Sequence, residues 1–461
     1  MSTADVRDDD ALAEPGTPHY EEAARVFNLA APAHPAAAVT ARGPAEVRAA
    51  VLAATRRGLT VRVHTSGHAA GAVRPLDGSA LIRTAPAGEV EIDTATRTAR
   101  IPAGARWGDV VRAAAPHGLG AAHGSAADVG VIGYLLGGGV SFYGRRTGLA
   151  ANTVRAIELV TSDGGCVRAD ATTEPELFWA LRGGGGGFGV VTAVEVALFP
   201  VAKVVTGATY WSAADAGPLL AAWRAWTKDA PREATTSLRL MNLPPVPGVP
   251  PQLAAGPVLC VDGAVLAPTA HDVPTAQRHA DELLGTLREI APALLDTWAL
   301  TGPAGVLDAH MDPADPVPFI GDHFLLRELG DDGAEAFLGA VGADSGSPLA
   351  VATLRQLGGA FAEEDPAGGV LNQVDAAYAY MGSGPPFGPV TVEALEKHCA
   401  TVRAALAPWD TGRTVPSLVE GFTRPQRHLT EDRAAAVARI RRRYDPRGVF
   451  ADDVSAGAAA L

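Results

Sequence analysis

The residue types that could do chemistry in this chain are its glycine turns and one histidine. Gly124-Ser125-Ala126-Ala127-Asp128-Val129-Gly130-Val131-Ile132-Gly133 leads into Leu136-Gly137-Gly138-Gly139. A second cluster runs through Gly183 to Gly187 and on into Phe188-Gly189-Val190-Val191-Thr192. Upstream, Thr65-Ser66-Gly67-His68-Ala69-Ala70-Gly71 follows an alternating run that ends at His64. Glycine turns set between β-branched runs let main chain approach an extended polar ligand over much of its length. Small residues at a strand end also leave N–H groups free to cradle a pyrophosphate. His68 by itself says little, because a lone histidine is more often a surface or satisfied core group.

Gly184-Gly185-Gly186-Gly187-Phe188-Gly189 formally satisfies G-x-G-x-x-G. The nucleotide fingerprint requires a helix after it, whereas Val190 to Leu198 reads as a strand, so the Rossmann reading fails on context. Candidate proton acceptors are scattered. Tyr378 and Tyr380 share one face of a predicted strand, as do Arg355 and Thr353 on the strand leading to Leu357-Gly358-Gly359, while Tyr134 and Tyr143 flank the glycine block. Each is more often packing than catalytic, and Glu420 and His428 are weaker candidates. His310-Met311-Asp312-Pro313 reads as a turn, and with no second ligand pair no metal site is expected.

The elements that must position these groups are legible in outline. Ala38-Val39-Thr40 is a strand, Pro44 opens a helix carrying Val47, Val51 and Leu52 at helical spacing, Gly58 stops it, and Leu59 to Val63 alternates as a strand. Trp107-Gly108-Asp109-Val110 enters a helix that ends near His117-Gly118. Beyond Pro200 prolines cluster and the glycine pattern stops. Helices are predicted over Pro218 to Lys228 and Ala276 to Glu289, among strands at Ser237 to Met241, Val258 to Val261 and Ala350 to Leu357. This reads as a sheet backed by helices. Thr430-Glu431-Asp432 caps an amphipathic helix that stops at Pro446. The expected division is a mobile tail over 1–20, a first lobe over 21–204, a second over 205–410, and a C-terminal segment, 411–461, returning to the first.

Composition narrows the function classes. At 461 residues, 47% apolar and 19% charged, the chain is long enough for two or three lobes with a large core. A net charge of −13, with only Lys203, Lys228 and Lys397 as lysines and no basic run, argues against nucleic acid or an anionic membrane as partner. Cys166, Cys260 and Cys399 have neither metal-ligand spacing nor a disulfide framework. The acidic N-terminus has no apolar segment of the secretory kind, and a cytoplasmic setting is expected.

Gly67-His68, the Gly124 to Gly139 block, Asp163-Gly164, Phe178-Trp179-Ala180-Leu181-Arg182 with its glycines, and Phe188-Gly189-Val190-Val191-Thr192 occur in one order and spacing. In these motifs the sequence resembles the FAD-linked oxidases of the vanillyl-alcohol-oxidase superfamily, in the berberine-bridge-enzyme-like branch. The likeness is dense over residues 38 to 200 and returns at Arg443-Tyr444-Asp445-Pro446 and Gly448-Val449-Phe450. The middle matches only in texture.

The resemblance implies an α+β fold of two lobes, a PCMH-type FAD-binding domain and a substrate domain of antiparallel sheet backed by helices. It implies FAD held by His64, Thr65, Ser66, Gly67, His68, Gly71, Gly124, Ser125, Val129, Gly130, Ile132, Gly133, Leu136, Gly137, Asn152, Gly189 and Val190, with His68 as the covalent attachment. Where the family has Gly-Gly-His-Ser, this chain has Ser66-Gly67-His68-Ala69. A second, cysteinyl tether found in some members falls on Ala126, so a singly linked flavin is expected. The family's Tyr-x-Asn pair falls on Val415-Pro416-Ser417, which leaves the base open among Tyr378, Tyr380, Arg355 and Tyr143. The implied activity is oxidation of a sizeable, weakly charged, natural-product-like substrate by hydride transfer to flavin N5, with O2 as acceptor, in a monomer or homodimer. A cyclase or isomerase without net oxidation, or a degenerate flavin-binding protein, are the alternatives.

Overall fold

The computed structural model describes residues 11–246 and 248–453. Alternating Thr60–His64 pairs in parallel with Ser79–Ala85, which pairs in turn with Ala37–Arg42. The helix Gly43–Arg56 buries Val47, Ala50, Val51 and Ala54 against this small sheet. Beside it lies an antiparallel sheet in the order Glu91–Asp93, Thr98–Pro102, Val190–Ala197, Val154–Val160, Cys166–Asp170. Val190–Ala197 is a strand, as its β-branched run dictates, and it follows the glycine cluster directly.

Residues Lys203 to Gly384 build a larger antiparallel sheet. Its order is Leu295–Asp296, Lys203–Ser212, Val258–Ala267, Ala234–Met241, Val351–Gln356, Tyr378–Gly384, Ile320–Leu326, with Ala299–Thr301 also paired to Lys203–Ser212. The helices Ala216–Asp229, Val273–Ile290, Gly330–Val341 and Val392–Ala405 pack on one face through Leu219, Leu283, Phe337 and Leu395. Period-2 alternation then decides the other face, which looks toward the first lobe and carries Arg239, Asp262, Thr353 and Arg355.

The tail closes the first lobe. Thr430 caps Glu431–Tyr444, whose Val437 and Ile440 join Leu177 and Phe178 in one core, and Val449 and Phe450 join Val51, Val61 and Ile82 in another. The Gly183 to Gly187 run accommodates this return. Arg441 donates to the carbonyls of Gly184 (2.5 Å) and Gly186 (2.9 Å), and a Cβ at Gly186 would stand 2.3 Å from Asp453 Oδ2.

The expected mobile tail needs correction where it is described. Leu12 and Tyr20 are buried, Ala13 bridges Ala38, and the Tyr20 hydroxyl donates to the Pro35 carbonyl at 2.8 Å. Residues 11–20 are therefore packed onto the first sheet by apolar anchors that the acidic composition hid. Residues 1–10 lie outside the described residues.

Candidate functional site

The site is built from three walls. The first is the turn after Thr60–His64. Gly67 takes φ +73°, and any Cβ there would collide with Val26 Cα at 2.7 Å, so only glycine fits. The amides of Ser66 and Gly67 donate to no group among the described residues, which leaves both N–H groups available to an anion. His68 stacks on Phe27 with ring centroids 3.8 Å apart and 11° between planes. Its Nδ1 shares a 2.8 Å hydrogen bond with Ser66 Oγ. Burial holds its pKa down to about 4, against an opposing pull from Asp312, so the ring is neutral at pH 7. Gly71 is wedged against the backbone of Glu420 and the side chain of Asn28.

The second wall is the Gly124 to Gly139 block. Trp107 N–H donates to the Val129 carbonyl (3.1 Å), and Gly130 leads into the short helix Val131–Leu136. Gly130 touches Thr65, so the two loops are in direct contact. Gly133 is exposed, and a Cβ there would meet nothing within 4 Å. Gly124 packs on the Tyr134 ring, while Ser125 and Ile132 are half-buried. Gly137 is held against Ser417, whose hydroxyl accepts from Gly139 N–H at 3.2 Å.

The third wall is the inner face of the large sheet. Arg239 and Asp262 form a buried ion pair at 2.7 Å, with side chains 3% and 0% exposed. His310 Nδ1 lies 2.8 Å from the same Asp262 oxygen. Arg355 is buried with its guanidinium 3.8 Å over the Phe142 ring. Asp312 lies near enough to act electrostatically on His68, Arg239 and Arg355 alike, which ties this wall to the first. The roof is thus charged.

The fit of this cleft to FAD rests on its unsatisfied groups. Buried atoms with no hydrogen-bond partner include Tyr134 OH, Tyr143 OH, Ser237 Oγ, Arg239 Nε, Asp262 Oδ1 and Arg355 Nε. Buried polar atoms are normally paired, so Ser237 Oγ, Arg239 Nε, Asp262 Oδ1 and Arg355 Nε, all on the inner face of the large sheet, fit a polar ligand lying against it. The Ser66 and Gly67 amides and the open space at Gly133 suit a pyrophosphate and a flat ring.

Several candidates are relocated. Tyr378 and Tyr380 lie on the helix-backed face of the sheet, packed with Trp223, Phe324 and Phe337. Their cross-strand partners are Gln356 and Leu354, while Arg355 pairs with Ala379 and faces the other side, so both tyrosines belong to the core and are not bases. Tyr143 packs edge-on between His123 and Phe199, and its hydroxyl is sealed. Arg355 does face the cleft. The His64 ring is engaged by the Ala23 carbonyl (2.9 Å), and Thr65 Oγ1 by Thr84 Oγ1 (2.8 Å). Asn152 Nδ2 donates to the Asn372 carbonyl at 2.9 Å, so its side-chain nitrogen braces a loop and is not left for a cofactor. Gly189 is required by the Val160 carbonyl, 2.5 Å from where its Cβ would stand, and Val190 is fully buried beneath the first sheet. Leu136 contributes its carbonyl to Gly185 N–H at 3.0 Å.

Asp262 and Arg239 go unrecognised in the sequence, where His310 reads only as part of a turn. The available signal was one carboxylate inside Val258 to Ala267, a run otherwise apolar enough to be core, and one arginine alternating with leucines in Ala234–Met241. Among the described residues no group of three His, Cys, Asp or Glu could hold a metal, and no helix is long and apolar enough to cross a membrane.

Residues 35–170 match the FAD binding domain family. Over 168 residues the chain is 38% identical to (R)-6-hydroxynicotine oxidase of Paenarthrobacter nicotinovorans, covering 36% of this chain and 37% of that one. It is 31% identical over 196 residues to a carbohydrate oxidase of Microdochium nivale, covering 42% and 40%. The matched stretch is therefore well under half of these curated relatives' own length. Among solved structures, the berberine-bridge-enzyme-like protein 1 of Physcomitrella patens superposes with a TM-score of 0.77 at 20% identity, over 95% of both chains. The 6-hydroxy-D-nicotine oxidase of Arthrobacter nicotinovorans does so with 0.79 at 23% identity, over 95% and 96%. The glucooligosaccharide oxidase of Acremonium strictum gives 0.75 at 20%, over 98% and 96%.

Proposed function

From a chain that carries the FAD-binding domain and fold of the berberine-bridge-enzyme-like FAD oxidases, we propose an FAD-dependent oxidase of a sizeable, natural-product-like organic molecule. Bound FAD would supply the two-electron acceptor, with O2 restoring it. In this reading Ser66 and Gly67 bind the pyrophosphate through their amides, and Gly133 gives the ring room. The inner face of the large sheet excludes water and holds the substrate, and the setting is the cytoplasm.

The observation that carries the proposal is His68. It is a neutral imidazole, fixed by Phe27 stacking, the Ser66 hydroxyl and the left-handed turn at Gly67. A neutral ring retains the lone pair that covalent attachment needs. Ala126 offers no thiol, so the link is single. The test is fluorescence of the denatured protein band. Wild type should glow under ultraviolet light and His68→Ala should not. A dark wild-type band would end the covalent claim, and colourless protein that takes up no FAD would end the whole reading.

Val415 favours a second reading. It is fully buried and apolar at the position that the resemblance gives to a tyrosine base. A cyclase or isomerase would need no base there. Anaerobic mixing separates the two, since product without loss of the yellow absorbance supports the second reading alone.

A further inference from the structure

We propose that His310 is the proton acceptor of this oxidation, with Asp262 setting its tautomer and Arg239 holding both in place. The inference rests on the oxidase reading above. The helix Val306–Ala309 ends at His310, whose ring meets the edge of Phe142 at 5.9 Å. Asp262 Oδ2 sits 2.8 Å from His310 Nδ1, and Arg239 anchors the arrangement twice. One guanidinium nitrogen pairs with Asp262 at 2.7 Å, and the other donates to the His310 carbonyl at 2.9 Å. Both the ring and the main chain of the histidine are thereby held.

A carboxylate partner at Nδ1 determines what Nε2 can do. Burial pushes the Asp262 carboxyl up, but the Arg239 guanidinium, with the hydrogen bond from His310, more than offsets this and holds it at about 2. Asp262 therefore stays an anion and accepts the Nδ1 proton, which leaves the Nε2 lone pair free. Nε2 is 3.9 Å from Asp312 Oδ1, too far for a hydrogen bond, and Asp312 is the same carboxylate that acts on His68. That nitrogen and His68 thus share Asp312 as an electrostatic neighbour. Met311, between them, takes φ +54°, a backbone state that a non-glycine residue keeps only when its surroundings enforce it. Here the Tyr210 hydroxyl donates to Met311 Sδ at 3.0 Å.

The charged groups around the ring are Asp262 from Val258–Ala267, Arg239 from Ala234–Met241, Arg355 from Val351–Gln356 and Asp312 from its own loop. Tyr210 and Cys260 lie behind Arg239. In the step itself, the O–H or N–H bond of the substrate breaks and its proton goes to His310 Nε2. FAD held at this site would supply the acceptor for the neighbouring C–H hydrogen and its two electrons. A C=O or C=N bond results, with Arg355 nearby to favour the oxyanion as it forms. Val415 cannot take that proton, whereas His310 can take it from the opposite wall.

The test does not depend on knowing the substrate. Holoenzyme labelled with ¹⁵N at histidine is titrated by NMR, with His310→Gln used to assign the signals. The expected result is one tautomer at pH 8, protonated at Nδ1 with a bare Nε2, and loss of that tautomer preference in Asp262→Asn. A His310 that is cationic from pH 5 to 9, or protonated at Nε2 at pH 8, would overturn the proposal. With 6-hydroxynicotine and cellobiose as probes, His310→Gln should slow any anaerobic bleaching by about a hundredfold or more and flatten its pH profile. His310→Asn, which keeps a donor to Asp262, controls for folding, and an unchanged profile in both variants counts against the proposal. A yellow protein with the wrong His310 state sinks only this assignment. A colourless one sinks the oxidase reading beneath it.

Discussion

Gly130 stands so close to Thr65 that a Cβ on the glycine would lie 2.8 Å from the threonine Cβ. Thr65 cannot easily yield, since its hydroxyl is tied to Thr84 at 2.8 Å. The contact sets the distance between the two loops that would enclose the cofactor. Gly130→Ala should therefore cost about 1–3 kcal/mol, the usual range for forcing a methyl into a packed contact. It should also lower the flavin content of purified protein. Thermal unfolding and the ratio of visible to ultraviolet absorbance read both effects. Unchanged values in both would mean that the loops do not meet as described.

Tyr380 gives a prediction of the opposite kind. Its hydroxyl is buried with no partner, on the helix side of the large sheet and beside Gly382. Removing an unpaired buried hydroxyl leaves nothing unsatisfied, so Tyr380→Phe should be neutral or slightly stabilising, with cofactor content unchanged. Tyr378 differs, because its hydroxyl bonds Glu328 at 2.9 Å and Thr227 at 3.3 Å. Tyr378→Phe should cost about 1 kcal/mol. A severe loss of turnover in Tyr380→Phe, without loss of stability, would return it to the site.

The difference between these tyrosines and Arg355 also marks how far the sequence could be read. Helix and strand positions followed from local signals, as with Pro44 and Gly58 around the first long helix, or the β-branched run after Gly189. The shared face of Tyr378 and Tyr380 was equally legible from their spacing. Which way that face points was not, because alternation fixes sides only relative to each other. The pairing of Val351–Gln356 with Tyr378–Gly384 decides it, and that is a long-range contact. The Asp262–His310 pair is hidden for the same reason, since its partners lie 48 positions apart in the chain. The Gly183 to Gly187 run has the composition of a ligand loop, yet its closest contacts include the returning tail at Arg441 and Asp453.

His323 links stability to pH. Its Nδ1–H donates to the Tyr380 carbonyl at 2.7 Å, and its Nε2 accepts from Val415 N–H at 3.0 Å. Burial holds the ring near 4, below the ordinary 6.5, so the folded protein binds its proton less readily than the unfolded chain does. Its stabilisation is present above 6.5 and drains away as pH falls from 6.5 toward 4. His64, His123 and His428 are held near 4 by burial in the same way and add to the slope. The unfolding temperature should fall steadily over that window. His323→Gln should be less stable at pH 7.5 by about 1–3 kcal/mol, for a buried bond left unmade, but show a shallower acid slope. An identical slope would exclude His323 as a contributor.

Glu420 works in the other direction. It sits between Gly71 and Gly321, with its carbonyl 2.9 Å from where a Gly71 Cβ would stand, and burial raises its pKa to about 8. Between about 4.5 and 8 the folded protein keeps a proton that the unfolded chain has released, so stability declines as pH rises through that range. Above 8 both states are ionised and the loss is complete. Glu420→Gln keeps the size and removes the charge. It should match wild type near pH 4.5, exceed it in unfolding temperature at pH 9, and show the widening gap between those limits. Unfolding temperatures of the two proteins that run parallel from pH 4.5 to 9 would refute the raised carboxyl.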